Sequence, residues 1–405
     1  MTDATTTPTG PLKGIRVLDL TAVVLGPFAT QTLGDWGADV IKVEPLIGDT
    51  ARNSGVFRNR GMASVFLQIN RNKRSIALDL KSDDGKDVLR RLIPIMDVLI
   101  SNIRPAGMTR LGFGYDTCKA MNPRLVYAVA TGFGQDGPWR ARPAFDEIIQ
   151  ASSGFASAMG DGLGSGDQPQ FMPSLVADKL TGMAMVQAIC AALFHRERSG
   201  EGQMIEVPML ETLSAFNSVD MMGGMAFEPP IGPPGYSRMR ERKPARTKDG
   251  WITMTPYSSA NWCQFFEAVG RPELIEQLEI NDPVKRMQNI DVVYATMREI
   301  ALTRTSAEWE ALLLSIDVPH AAFTRMTEVT AHEHLKTVGM FPVTDHPTEG
   351  AVRDARPPTK FAGTPANVRR PVPRLGQHTV EILGEAGFTE AEIQAMRDRK
   401  SIRIA

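Results

Sequence analysis

Asp178 stands immediately before a long apolar stretch, KLTGMAMVQAICAALFHRERS, that ends in a basic turn and then Gly200. An acid at the start, cations at the end and glycine beyond match the dipole and cap rules of a helix. A carboxylate there could act as an N-cap, contributing about 1 kcal/mol. It could also act as an anionic nucleophile whose charged form the helix start favours. The residues alone leave both readings open. Glu44 closes a first strand–helix–strand pattern, where a dinucleotide's ribose would be held. That chemistry needs a GxGxxG turn, and the turn here, LTAVVLGP, has one glycine. Glu44 therefore reads as a strand-end residue, and NAD(P) binding is not expected. P-loop, HExxH and GxSxG signatures are absent. His332-Glu333-His334 reads as part of a solvated loop, and no metal site is expected. Cys118, Cys190 and Cys263 lie far apart without a CxxC pair, which fits a reducing compartment.

The elements that must position these groups follow an alternating pattern. Ile15 to Leu20 reads as a buried strand, a helix runs from about Gly26 to Gly37, and Asp39 to Glu44 forms a second strand. SIALDL (75–80), a helix from Asp83 to Ile95, DVLIS (97–101) and RLVYAVATGFG (124–134) continue it. Apolar strands alternating with helices predict a parallel, doubly wound α/β sheet. The glycine-rich segment from Ser153 to Gly166 predicts a mobile loop rather than a helix. The Pro- and Gly-rich residues 226–245 predict a linker. Beyond them a hairpin and a helix open a smaller domain to about residue 330, and a final helix is predicted from Thr389.

Composition narrows the function classes. The 405 residues are 42% hydrophobic and 22% charged, with 45 basic against 46 acidic groups. Such a length predicts two domains. A net charge of −1 gives no global field for nucleic acid or anionic membrane, so neither is an expected partner. The polar N-terminus has no apolar core segment, and no run reaches the roughly 18–20 apolar residues of a membrane span. A cytoplasmic, soluble protein is expected.

Beyond these general features, the chain carries a series of ordered motifs. They are GIRVLDLT…GP…GDWGADVIKVEP from Gly14 to Pro45, NRNKRSIALDLK from Asn70 to Lys81, and NIRPAG…RLGFGY from Asn102 to Tyr115. NPRLVY (Asn122 to Tyr127), GFGQDGP (Gly132 to Pro138), Phe145-Asp146 and ADKLTG (Ala177 to Gly182) come next. SGEGQMIEV (Ser199 to Val207) and PVPRLGQHT (Pro371 to Thr379) complete the series. In this order and spacing the chain resembles the class III CoA-transferases, the CaiB/BaiF-like family with the formyl-CoA transferase fold.

The resemblance implies a large Rossmann-like domain built from both ends of the chain plus a small α/β domain, in an interlocked, intertwined-ring homodimer. Residues 1–225 would form the large domain, 226–330 the small one, and 331–405 would return to the large one. It implies an enzyme that moves CoA from an acyl-CoA to a small carboxylic acid through aspartyl anhydride and aspartyl-CoA thioester intermediates on Asp178. A serine or cysteine could form no anhydride and so could not conserve the thioester's energy. CoA would be a substrate, with no tightly bound cofactor. By family position, backbone groups near Val23, Val24, Gly134 and Gln135 would stabilise the oxyanions, and Asp146 would lie beside the nucleophile. The CoA positions carried over are Val24, Leu78, Lys81, Asn102, Ile103 and Arg110. Arg104, Lys42 and Arg74 would be further phosphate contacts, while Pro45 replaces an arginine found in some relatives. Arg52, Arg58 and Arg71, with Arg238, Arg240 and Arg242 of the linker, could hold the second carboxylate of a dicarboxylic acid such as succinate or mesaconate. Residues 154–166 could close over the acyl group. One alternative is an α-methylacyl-CoA racemase, which shares the fold but needs a histidine base where Phe145 stands. Another is a non-catalytic CoA-binding paralogue, against which the retention of Asp178 speaks.

Overall fold

The computed structural model describes residues 7–163, 168–235 and 242–405, with 162 and 163 described by their backbone alone. Its main sheet has six parallel strands: β1 (Arg16–Leu20), β2 (Asp39–Glu44), β3 (Lys73–Leu78), β4 (Val98–Ser101), β5 (Val126–Thr131) and β6 (Met204–Pro208). A short last strand, β7 (Ile402–Arg403), lies antiparallel on β3 with Ile402 opposite Leu78. The order is β7-β3-β2-β1-β4-β5-β6. β1 pairs with β2 on one side (Val17 opposite Val40) and with β4 on the other (Val17 opposite Val98). The winding direction therefore reverses between β1 and β4, and the crevice beyond their carboxyl ends is where doubly wound folds take ligands. Val17, Leu18, Val40, Ile41, Val98 and Leu99 are fully buried, the two-sided burial that parallel strands require.

Three helices frame that crevice end of the larger sheet or support it. α1 (Leu25–Asp35) connects β1 to β2. α2 (Asp146–Ser152) lies between β5 and β6 in sequence. α3 (Val176–Ser199) packs on α1, β5 and β6 and ends at Gly200, whose φ of +80° supplies the left-handed cap. α3 is long and apolar enough to cross a membrane by length and composition. It instead buries Ala177, Met185, Ile189, Ala192 and Leu193 within the fold.

The chain divides into two compact units. The larger takes the described residues of Met1–Ser153, Met172–Phe216 and Lys336–Ala405; the smaller takes those of Gly154–Phe171 and Asn217–Leu335. The core of the smaller unit is aromatic. Trp262 stacks on Phe266 at 5.9 Å, Phe265 on Trp309 at 5.9 Å, and Trp309 Nε1 donates to the Ala301 carbonyl at 2.8 Å.

The expected loop at 153–166 is not wholly a loop, because Phe155–Leu163 is helical. Gly160 is buried, and a Cβ there would meet the Gln168 carbonyl oxygen at 2.1 Å. That glycine serves close backbone approach, not flexibility. The rest of the expected lid, residues 164–166, lies outside the described residues.

Candidate active site

The turn from β1 into α1 carries an unusual backbone. Val23 has φ +70°, a region that a β-branched residue enters only under strain. Four side chains over-determine it. Asp49 Oδ1 accepts the Val23 N–H at 3.1 Å. Asn102, just beyond β4, accepts the Ala22 N–H at 3.1 Å and donates to the Ala22 carbonyl at 2.8 Å. Lys42 Nζ donates to the Thr21 carbonyl at 2.8 Å and to Asp49 Oδ2 at 2.9 Å. Asp19 accepts the Thr21 N–H at 2.9 Å and receives Lys73 Nζ at 3.2 Å. Gly26 permits this folding back, since a Cβ there would meet Thr21 Cβ at 2.2 Å. The N–H groups of Val24 and Leu25 have no hydrogen-bond partner among the described residues. Main-chain donors are thus open at the start of α1, at the switch point.

Asp178 is the third residue of α3, not its cap: the helix begins at Val176 and Leu175 is the N-cap. The capping reading of its side chain therefore fails. No hydrogen bond reaches the Asp178 carboxyl from the described residues, whereas its backbone N–H donates to Asp146 Oδ2 at 3.0 Å. Asp146 is buried at the first turn of α2 and also accepts from Gln150 Nε2. Gln150 in turn accepts the Met172 N–H at 2.9 Å. Burial, with the charges of Asp146 and Glu147, pushes the Asp178 carboxyl up to about 7. Desolvation and two like charges thus act against the charged form that the helix start is expected to favour.

Other expected positions divide into open and engaged groups. Gly134 and Gln135 do not present open N–H groups; they donate to Glu211 Oε1 and Glu206 Oε1, each at 2.9 Å. Glu206 also accepts the Thr131 hydroxyl at 2.9 Å. Sequence reasoning misses these two glutamates; the one signal is for Glu206, a charged residue inside the apolar strand MIEVP, and Glu211 carries none. Asn102, Ile103 and Arg104 follow β4 directly and face the crevice end of the sheet, with Arg104 Nη1 donating to the Ala141 carbonyl at 3.2 Å. Lys81 and Arg110 are exposed, with no side-chain partner among the described residues. Leu78 is completely buried in the core, side chain and main chain alike, opposite Ile402.

The further cations expected at phosphates are internal. Lys42 is completely buried against Asp49, and Arg74 is paired with Asp39, Glu381 and Glu385. The arginines expected at a second carboxylate are likewise committed. Arg52 forms a two-point pair with Glu44, both contacts 2.7 Å, over the Phe66 ring. Arg71 pairs with Asp35 at 2.6 Å and Asp354 at 2.5 Å. Arg58 donates to the Glu349 and Ala351 carbonyls. Arg238 and Arg240 lie outside the described residues, and Arg242 is exposed. Glu44, buried and held by Arg52, Ser75 Oγ and the Asp49 N–H, is an internal counter-ion.

Phe145 is exposed at the N-cap of α2, directly before Asp146. No histidine among the described residues hydrogen-bonds to Asp146 or Asp178: His378 accepts the Ser75 N–H and His346 bonds the Val372 carbonyl.

With this geometry in place, the comparisons with known proteins are specific. Residues 12–379 match the model of CoA-transferase family III. The succinyl-CoA–L-malate CoA-transferase beta subunit of Chloroflexus aurantiacus is 32% identical over 98% of this chain and 99% of its own. The formyl-CoA:oxalate CoA-transferase of Escherichia coli O6:H1 is 30% identical over 97% of this chain and 99% of its own. Among solved structures, the hypothetical protein Rv3272 of Mycobacterium tuberculosis superposes with a TM-score of 0.80 at 30% identity, over 93% of this chain and 100% of its own. A CaiB/BaiF family protein from Brucella suis gives 0.79 at 29% identity, over 93% and 100%. The match over residues 12–379 and the likeness to both transferases along nearly the whole chain show that this protein belongs to CoA-transferase family III.

Proposed function

We propose that this CoA-transferase works through Asp178 as a covalent nucleophile. The ionised carboxylate attacks the thioester carbonyl of a bound acyl-CoA, forming a mixed anhydride and expelling CoA thiolate. The thiolate attacks the aspartyl carbonyl, releasing the donor acid and leaving an aspartyl-CoA thioester. An acceptor carboxylate attacks that carbonyl to give a second anhydride and free thiolate again. Thiolate attack on the acceptor's acyl carbon yields the new acyl-CoA and restores Asp178. The observation that carries this reading is the carboxyl itself: its oxygens accept nothing from the described residues while its backbone is tethered through Asp146. The open N–H groups of Val24 and Leu25 favour oxyanion binding at the start of α1. Lys81, Asn102, Ile103, Arg104 and Arg110 are the groups proposed to meet CoA. Incubation with acyl-CoA and hydroxylamine tests the reading, which requires a hydroxamate at Asp178.

Asp146 is proposed as a positioning residue. Because the active form of Asp178 is its carboxylate, kcat/KM is expected to rise with pH through about 7 and then level. Asp146→Asn keeps an oxygen for the Asp178 N–H but removes a like charge. The apparent pKa of the profile should then fall by roughly one unit. An unmoved profile would show that Asp146 holds the helix and nothing more.

We further infer assembly with a second copy of the chain, as the interlocked homodimer implied by the resemblance. In the smaller unit Val219, Met222, Met225, Phe227 and Ile231 are exposed apolar side chains close in sequence, which favours their burial by a partner. Sedimentation should give a dimer at micromolar protein concentration, and a stable monomer would refute this.

A further inference from the structure

With Arg52 and Arg71 engaged internally, a second anionic end of a substrate needs another holder. In the larger unit a cavity of about 220 Å³ opens beyond the ends of β4 and β5, lined by Asn102, Arg104, Gln135, Arg140, Arg142 and Phe145 among others. Its three arginines form no ion pair among the described residues, and exposed Asp136 in the same loop pairs with none of them. Main-chain contacts hold the loop in place. Arg104 donates to the Ala141 carbonyl at 3.2 Å, and the Gln135 amide donates to the carbonyls of Phe133 at 3.1 Å and Arg140 at 3.3 Å. Arg142 lies 4.1 Å over the Trp139 ring, which stands edge-on to Phe133. The Arg140 guanidinium has no partner among the described residues. Like charges gathered around a concave space repel one another, and an anion placed among them relieves that repulsion.

The cavity lies one residue from the proposed nucleophile's support, because Phe145 lines it and the next residue, Asp146, accepts the Asp178 N–H. Its volume falls below the roughly 300–1,000 Å³ of pockets that hold drug-sized ligands. It suits a short chain ending in a carboxylate, not an adenosine. We propose that Arg140 and Arg142 form a specificity subsite for the distal carboxylate of a short dicarboxylic acid or its acyl-CoA, a planar group that guanidinium recognises at two points. This inference rests on the reading of Asp178 as the acylated residue. A CoA phosphate shares the same anion chemistry, and the experiment separates the two sources.

The full-length protein is assayed with butyryl-CoA as donor and with succinate or butyrate as acceptor, products being read by mass spectrometry. The wild type should prefer succinate. In the Arg140→Gln, Arg142→Gln double variant the succinate-to-butyrate ratio of kcat/KM should fall about 30-fold or more, with partial recovery in the Arg→Lys pair. Formation of a hydroxamate at Asp178 from butyryl-CoA and hydroxylamine monitors folding and the first half-reaction. A wild type without preference, an unchanged ratio, or an equal loss for both acids with a raised KM for butyryl-CoA would each overturn the subsite while trapping persists. Absence of trapping in the wild type with any acyl-CoA would overturn the aspartate reading as well.

Discussion

Asp178→Asn is expected to lower CoA-transfer turnover by at least about 10³-fold while leaving acyl-CoA binding within a few-fold. The amide nitrogen and oxygen cannot attack the thioester to form an anhydride, so the covalent path closes at its first step. The exchange should not harm the fold. It removes a charge that burial and two neighbouring carboxyls already disfavour, and it breaks no hydrogen bond of the carboxyl, which has none among the described residues. Steady-state rates, a binding titration with butyryl-CoA and the hydroxylamine trap together give the test. A variant that turns over within tenfold of wild type would remove the covalent mechanism.

The second large effect concerns stability. Asp19→Asn should lower unfolding free energy by about 3 kcal/mol or more, the range found when one member of a buried ion pair is removed. Asp19 is fully buried. Burial alone would raise its pKa, but Lys73, Lys42 and the hydroxyls of Thr21 and Thr30 hold the carboxyl below its ordinary value. Without that charge, Lys73 keeps only the Asn70 side chain and the Pro27 carbonyl as partners. Urea denaturation at pH 6, where Lys73, which burial pushes down to about 7, is still charged, measures the loss. A midpoint unchanged from wild type would show that this buried network contributes little, and that the shape of the β1–α1 turn is held by Asn102 and Asp49 instead.

What can be read from the residues is set by how local the cause is. β1, β2, β4 and β5 are legible because strands buried on both faces show as short apolar runs. The apolar pattern places β3 at 75–80, yet the strand spans Lys73–Leu78, since Lys73 and Arg74 look like surface charge until their partners Asp19, Asp39, Glu381 and Glu385 are seen. Arg52 and Arg71 mislead for the same reason: Asp354, a partner of Arg71, is 283 residues away. β6 escapes assignment because its first residue is exposed and Glu206 interrupts its apolar run. β7, at two residues, carries no pattern at all. Asp178 is legible by its place before an apolar helix. That its carboxyl is left open is not, because the tether is Asp146, 32 residues earlier.

The left-handed valine of the first turn sets two design goals against each other. Holding a β-branched residue there costs on the order of 1–3 kcal/mol, a noticeable share of the 5–15 kcal/mol by which folded domains usually persist. An engineer selecting only for heat resistance would be drawn to Val23 and would relax it with glycine. The same relaxation would give the main chain at the crevice a freedom that only the hydrogen bonds to Asp49, Asn102 and Lys42 then limit, so a higher melting temperature gained at this position would come with a looser turn at the proposed oxyanion site.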